Sequence, residues 1–261
     1  MKSGTLFALG TGPGDPELVT VKAAKILGRV EAVAFPLDPG GRPGRAFRAA
    51  TPYLRPDTIH IPLHMPMTAN PTVLEEAWGE AVESMWAHAC AGKDVAYLCL
   101  GDVLLYGSFG YLLERYPGNV EIVSGVISPV AAAASLGLPL AEGREPLTLV
   151  PDAGDTALLA AALELGGTVV IMKPSRLGEA GVHLLEDSGR LEKAWVAREV
   201  TLETESLTPA RREELSRLPY FSLVVIPAVR AGGAVPDSSG VGRAAACEDT
   251  YLDLPKAKEE A

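Results

Sequence analysis

Three short stretches combine glycine with polar side chains directly after an apolar run: "ALGTGPGDPEL" (8–18), "LCLGDVLLYGSFG" (98–110) and "IVSGVISPV" (122–130). Glycine there permits a tight turn and a close approach to the backbone, the arrangement by which α/β folds bring a nucleotide to the end of a strand. The first stretch does not complete the dinucleotide fingerprint. Gly10 and Gly12 are followed by Asp15 where a third glycine belongs, and Pro13 removes an N–H that a pyrophosphate would use. Asp15 would also compete with phosphate for donors at a helix start. A phosphate cradle is therefore disfavoured; a tight turn capped by Asp15, with no ligand, remains open.

Other reactive types are sparse. In "HIPLHMPM" the histidines His60 and His64 share one face of an extended segment, roughly 13 Å apart, too far for one metal. Cys90, Cys99 and Cys247 are odd in number and widely spaced, which fits reduced thiols rather than a disulfide framework or a zinc site; Cys99 reads as core. Trp78, Met85 and Trp86 have the spacing of a packed helix face, and "RREEL" from Arg211 that of a solvated one. No metal site is expected.

These residues need a scaffold, and the apolar pattern supplies an α/β one. Short runs ("TLFAL", "EAVAF", "TIHIPL", "DVAYLCL", "VEIVSG", then "LTLVP", "TVVIM", "KAWVAR", "FSLVVI") alternate with helix-like segments. Asp15 to Leu27 reads as one helix with Asp15 as cap and Pro16 at its first position, and Thr72 to Cys90 as a helix opened by the capping-box spacing Thr72–Glu75. The polar break at 141–146 suggests two domains, 1–142 and 143–231, and 232–261 reads as a mobile tail. At 261 residues with 48% hydrophobic and 21% charged residues, the chain has the composition of a soluble globular protein. It carries no apolar run of the roughly 18 residues a membrane span needs, and its start lacks signal-peptide character, so a cytoplasmic location is expected. A net charge of −10 disfavours nucleic acid and anionic membrane as partners.

The segments "LGTGPGDPELVTVKAAKIL", "LCLGDVLLYGSF", "VSGVISPVAAAASLGLPL", "VVIMKPSRL" and "YFSLVVI" occur in the order found in the tetrapyrrole methylases, and the chain resembles that family over about residues 4–227. "HMPMTAN", Met172-Lys173-Pro174 and "LPYFSLVVI" resemble most the precorrin-2 or cobalt-factor II C20-methyltransferases. The resemblance implies two α/β domains with S-adenosylmethionine in the cleft between them, usually in a homodimer. It implies cofactor contacts at Pro13, Leu100, Gly101, Asp102, Leu105, Ile127, Ser128, Met172 and Val200. Two departures stand out: Gly101-Asp102-Val103 where the family usually has G-D-P, and Ser124-Gly125 where it has P-G. Each loses a proline that would restrict the unfolded chain by about 0.4–1 kcal/mol.

The implied acceptor is a flat macrocycle rimmed with carboxylates. Residues 39–55 hold four arginines and no acidic residue; by themselves they read as a solvated helix face after Pro43. Given the resemblance, Arg42, Arg45 and Arg48 become a clamp for the acceptor's carboxylates, with Arg45 and Arg48 one turn apart, and His64, Met67 and Tyr106 join them as candidate acceptor contacts. Methyl transfer to an electron-rich carbon needs no protein nucleophile, and no catalytic residue is assigned. Other activities of the same superfamily remain open, namely a different ring position, a diphthamide precursor or ribosomal RNA. So do a nucleotide-dependent oxidoreductase and a non-catalytic tetrapyrrole or nucleotide carrier.

Overall fold

The computed structural model describes residues 2–229, so Cys247 and the 232–261 segment lie outside the described residues. The first half builds a parallel sheet from β1 (Leu6–Gly10), β2 (Ala32–Pro36), β3 (Ile59–Leu63), β4 (Val95–Cys99) and β5 (Val120–Val123), in the order β3-β2-β4-β1-β5. β1 and β4 are buried at all positions, as expected for strands covered on both faces. One face is covered by α1 (Val21–Leu27) and α2 (Arg45–Ala50), the other by α3 (Pro71–Ala89) and α4 (Phe109–Leu113).

The second half is a mixed sheet of β6 (Leu147–Val150), β7 (Thr168–Met172), β8 (Trp195–Arg198), β9 (Ser206–Pro209) and β10 (Ser222–Ile226), in the order β6-β7-β10-β8-β9. Only β6 and β7 run parallel; the other pairs are antiparallel. One face carries α6 (Thr156–Glu164), α7 (Gly178–Asp187) and α8 (Arg212–Leu215). The other receives α5 (Ser128–Leu136), whose Ala131, Ala132 and Leu136 pack against Val170, Trp195, Leu223 and Val225. α5 thus precedes the polar break at 141–146 yet packs on the sheet that follows it.

Several local expectations are corrected. The segment after the first turn is not one helix: Asp15 caps only a 3₁₀ turn at Pro16–Leu18, accepting the Glu17 N–H at 2.8 Å. Val19 then turns extended to bury its side chain, and Thr20 caps α1 afresh by accepting the Ala23 N–H at 3.2 Å. α3 is capped by Asn70, whose side chain accepts the Thr72 N–H at 3.0 Å, so Pro71 takes the first helical position and Thr72 caps nothing. α8 is less solvated than expected: Leu215 is fully buried, and Arg212 pairs with Glu179 at 2.9 Å and with Glu186. β9 had no counterpart in the apolar runs, because "SLTP" is a short, polar, proline-ended edge strand.

Candidate functional site

The three glycine turns meet one another at the carboxyl ends of β1, β4 and β5. Thr11, fully buried, donates both its N–H (2.9 Å) and its hydroxyl (3.1 Å) to the Cys99 carbonyl. Gly12 and Gly101 exchange backbone hydrogen bonds at 3.2 and 2.7 Å. A Cβ on Gly10 would lie 2.5 Å from the Gly125 nitrogen, and one on Gly125 would collide with the Gly101 carbonyl. Gly14, at φ 152°, sits where a Cβ would be 2.8 Å from the Leu202 side chain, and the next residue, Asp15, donates its N–H to the Thr201 hydroxyl at 3.2 Å. Side chains are absent from these turns chiefly so that the turns can pack on each other and on the second domain.

Gly101 differs from the others. It has φ 74°, and a Cβ there would meet no atom within 4 Å, so its backbone faces open space. That space is a cavity of about 1120 Å³ between the two domains, bounded by the ends of β2, β4, β7 and β8 and the start of β10. The volume slightly exceeds the range of about 300–1,000 Å³ usual for small-molecule pockets, room enough for a donor and a bulky acceptor together.

Of the candidate cofactor contacts, Pro13, Leu100, Gly101, Leu105, Ser128, Met172 and Val200 line this cavity. Asp102 and Ile127 are not among its lining residues. Asp102 instead ties two turns together: its carboxylate accepts the Leu104 N–H and the Gly125 N–H, each at 2.9 Å. Val103, which stands where the resemblance implies a proline, is fully buried in the first core. Ile127 precedes α5 in an extended conformation.

Of the candidate acceptor contacts, Arg42, Arg45, Arg48, Met67 and Tyr106 line the cavity, whereas His64 is exposed and does not. His60 packs edge-on against Phe47, ring centroids 5.0 Å apart. The arginines are not the bare cluster the sequence suggests. Arg42 pairs with Asp38 through Nε at 3.1 Å, and the backbone N–H of Arg42, helped by that of Gly40 and by the guanidinium, holds the Asp38 carboxyl below its ordinary range. Arg45 reaches across the domain boundary: one terminal nitrogen contacts both carboxylate oxygens of Glu199 at 2.7 Å, and the guanidinium lies 3.6 Å over the Phe221 ring. Only Arg48, exposed on α2, has no carboxylate partner among the described residues.

Several lining residues escaped the sequence reading. Trp78, expected to be packing alone, stacks on Tyr111 with centroids 4.4 Å apart and 7° between planes, forming an aromatic wall. Tyr97, on the floor, shares a 3.4 Å hydrogen bond with Ser108, and burial pushes its phenol well above the ordinary range. Burial, with the Asp102 charge, pushes the Cys99 thiol up to about 11, leaving it protonated and unreactive at neutral pH. Ser222 is buried in the wall with its hydroxyl unpartnered among the described residues. Lys173, Tyr220 and Phe221 stood within recognisable segments, but nothing in their spacing marked them as site residues.

Backbone strain singles out the same region. Among the described residues, the non-glycine positions with positive φ are Tyr106 (53°), Lys173 (52°), Glu199 (52°) and Thr201 (69°). The first three line the cavity, and the fourth follows Val200, which does. Such conformations cost about 1–3 kcal/mol each and persist where surrounding structure enforces them, typically at functional sites. No group of three or more His, Cys, Asp or Glu is placed to hold a metal among the described residues, and no described helix is long and apolar enough to cross a membrane.

Comparison with known proteins places this geometry. Residues 5–216 match the family model described as Tetrapyrrole (Corrin/Porphyrin) Methylases. The chain is 34% identical to a precorrin-2 C(20)-methyltransferase of Sinorhizobium sp, over 86% of this chain and 95% of the relative. It is 35% identical to a cobalt-precorrin-2 C(20)-methyltransferase of Salmonella typhimurium, over 86% of this chain and 96% of the relative. Among solved structures, the uroporphyrin-III C-methyltransferase of Thermus thermophilus complexed with S-adenosylhomocysteine superposes with a TM-score of 0.62 at 21% identity, covering 86% of this chain and 97% of that one; at this identity the likeness speaks to the fold.

Proposed function

We propose, since this chain belongs to the tetrapyrrole methylase family, that it transfers a methyl group from S-adenosylmethionine to C20 of precorrin-2 or cobalt-factor II in cobalamin biosynthesis. The observation that carries the reading is the cavity at Gly101, a backbone left open to a space large enough for both reactants, in a chain about 35% identical over most of its length to C20-methyltransferases.

When bound, S-adenosylmethionine supplies an electrophilic methyl group on a sulfonium sulfur. The residues present fit it. Gly101 at φ 74° gives flat backbone with no side chain in the way, and Leu105, Ser128, Met172 and Val200 complete a mostly apolar wall around it. We assign these residues, with Pro13 and Leu100, to the donor. Arg42, Arg45, Arg48, Met67 and Tyr106 are assigned to the acceptor, and the stacked Trp78–Tyr111 pair offers a flat surface to a flat ring.

An electron-rich meso carbon attacks without a protein nucleophile, so this chain contributes by holding the two reactants at reacting distance and excluding water. Both carboxylates lining the cavity, Asp38 and Glu199, are engaged by arginines. Neither is free to act as a general base, which fits loss of the displaced proton to solvent. The turns that form the donor side are fixed by the Asp102 cross-tie and by the Gly12–Gly101 bridge, so little reorganisation is needed on binding.

By family resemblance we also read the protein as a homodimer, testable by sedimentation equilibrium, and from its sequence as cytoplasmic, testable by cell fractionation. The function is tested by turnover with metal-free and cobalt-containing acceptors, followed by carbon NMR of the product. A methyl at C20 is expected; a methyl at another ring position refutes the assignment. Calorimetric titration with S-adenosylhomocysteine and with NADH separates this reading from an oxidoreductase, for which NADH alone would bind.

A further inference from the structure

Two adjacent residues just before β10, Tyr220 and Phe221, carry cations on their ring faces. Their rings meet edge to face, centroids 5.1 Å apart at 89°, and both remain partly exposed, at 39% and 41%. Arg45 comes from the first domain and lies 3.6 Å over Phe221; Lys173 comes from the second and holds its ammonium 5.7 Å from the Tyr220 centroid. Ring faces attract cations without neutralising them. The two cations therefore differ in one respect that matters. Arg45 is neutralised by Glu199, whereas Lys173 has no carboxylate partner among the described residues.

Lys173 is also held where a lysine does not go unaided. It has φ 52° and ψ 55°, the left-handed region, between the end of β7 and buried Pro174. The strain is maintained at the one lysine in the cavity wall. Across the whole lining, Arg42, Arg45, Arg48 and Lys173 face only Asp38 and Glu199, so the cavity is net cationic in a chain of net charge −10.

We propose that Lys173 is a specificity-determining residue that receives a peripheral carboxylate of the tetrapyrrole acceptor on the second-domain wall, opposite Arg48 on the first. This rests on the reading of the cavity as a tetrapyrrole methylation site. The ammonium's seat on the exposed Tyr220 ring, whose edge-to-face neighbour Phe221 carries Arg45, assigns Lys173 to the acceptor rather than to the donor's own carboxylate. Because Glu199 occupies Arg45, the unneutralised cations Arg48 and Lys173 lie on opposite domains. An acceptor is then gripped from both sides only when its carboxylates span the cleft, which selects for a macrocycle with acidic side chains around its rim.

The test uses the full-length protein with Lys173→Gln, Lys173→Arg and Lys173→Gly. Three quantities are measured: the KM and kcat for the tetrapyrrole acceptor, the Kd of the octacarboxylate uroporphyrin by fluorescence quenching, and the Kd of S-adenosylhomocysteine by calorimetry. Lys173→Gln is expected to raise KM and the uroporphyrin Kd about tenfold, with a shallower salt dependence, kcat within about threefold and S-adenosylhomocysteine affinity unchanged. Lys173→Arg should recover most of the loss. Lys173→Gly relieves the backbone strain and should raise Tm by about 2 °C or more while losing uroporphyrin binding as Lys173→Gln does, a combination that a folding defect cannot produce. Unchanged KM and uroporphyrin Kd in Lys173→Gln overturn the proposal while leaving the methyltransferase reading intact. Loss of S-adenosylhomocysteine affinity with KM unchanged overturns it in favour of a donor contact. Wild-type protein that binds uroporphyrin through Lys173 but methylates no tetrapyrrole upholds the proposal and refutes the reaction; wild-type protein that binds neither porphyrin nor acceptor refutes both.

Discussion

Gly101 and Gly125 are both glycines of the crowded turns, and the structure predicts opposite consequences for replacing them. Gly101→Ala puts a methyl group where nothing lies within 4 Å, so its folding cost is that of a non-glycine residue at φ 74°, about 1–2 kcal/mol. At roughly 2–4 °C per kcal/mol for a chain near this size, Tm should fall by about 2–8 °C and the fold should survive. The methyl group enters the donor's space, and overfilling a fitted site costs about 1–3 kcal/mol. At 1.4 kcal/mol per decade, S-adenosylhomocysteine affinity should fall roughly 5- to 150-fold, and Gly101→Val should abolish it. Gly125→Ala instead drives a Cβ into the Gly101 carbonyl and to within 2.8 Å of the Gly10 Cα, so three backbones must shift. It should cost about 3 kcal/mol or more and lower Tm by upwards of about 6 °C. Thermal denaturation and calorimetry on the same samples decide the matter. Wild-type S-adenosylhomocysteine affinity in Gly101→Ala would remove this turn from the donor site, and a Gly125→Ala protein melting within 2 °C of wild type would refute the interlocking of the turns.

Arg45→Met should lower Tm by several degrees, because the side chains of Arg45 and Glu199 are only 16% and 29% exposed and the change strands a half-buried carboxylate; Glu199→Gln, which can still accept from Arg45, should cost about 1 kcal/mol or less. Asp102→Ala should reduce S-adenosylhomocysteine affinity without Asp102 lining the cavity, through loss of the Leu104 and Gly125 hydrogen bonds; unchanged affinity would mean that the turns hold without the cross-tie. Tyr116→Phe should leave Tm unchanged or raised, since its buried hydroxyl has no partner among the described residues. The Cys99 thiol, raised from 9.0 to about 11 in the folded protein, is held protonated by burial. Its contribution is full below pH 9 and is lost as pH rises through 11, about 3 kcal/mol in all, so urea denaturation should show a steeper decline over that window in wild type than in Cys99→Ala.

The strand pattern and the donor turns were legible in the sequence because both are local. Among the described residues, nine of the ten strands announce themselves as short runs rich in apolar residues; β9 does not, since its stability comes from pairing with β8 rather than from its own composition. The break within Asp15–Leu27 was illegible because it is decided by where Val19 finds a core, which no helical periodicity records. The arginine-rich segment misled partly for the same reason. Arg42 and Arg55 are neutralised by Asp38 and Asp57, just outside its two ends, but the partner of Arg45 is Glu199, 154 residues away and brought to it only by tertiary packing.

This division follows from how the two halves of the site are made. On the proposed donor side the turns are built of backbone: Gly10 and Gly125 pack too closely on neighbouring turns to admit a Cβ, and Gly12 and Gly101 hold positive φ, so a recognisable string of letters results. On the proposed acceptor side the wall is built of side-chain pairs, Trp78 on Tyr111, Arg45 on Phe221 and Lys173 on Tyr220, set by tertiary packing. The positive φ at Lys173, Glu199 and Tyr106 marks where the cavity wall is pinned, by backbone conformations that the surrounding structure enforces. Specificity among tetrapyrroles should therefore reside in those strained rim positions, and donor recognition in the glycine turns beneath them.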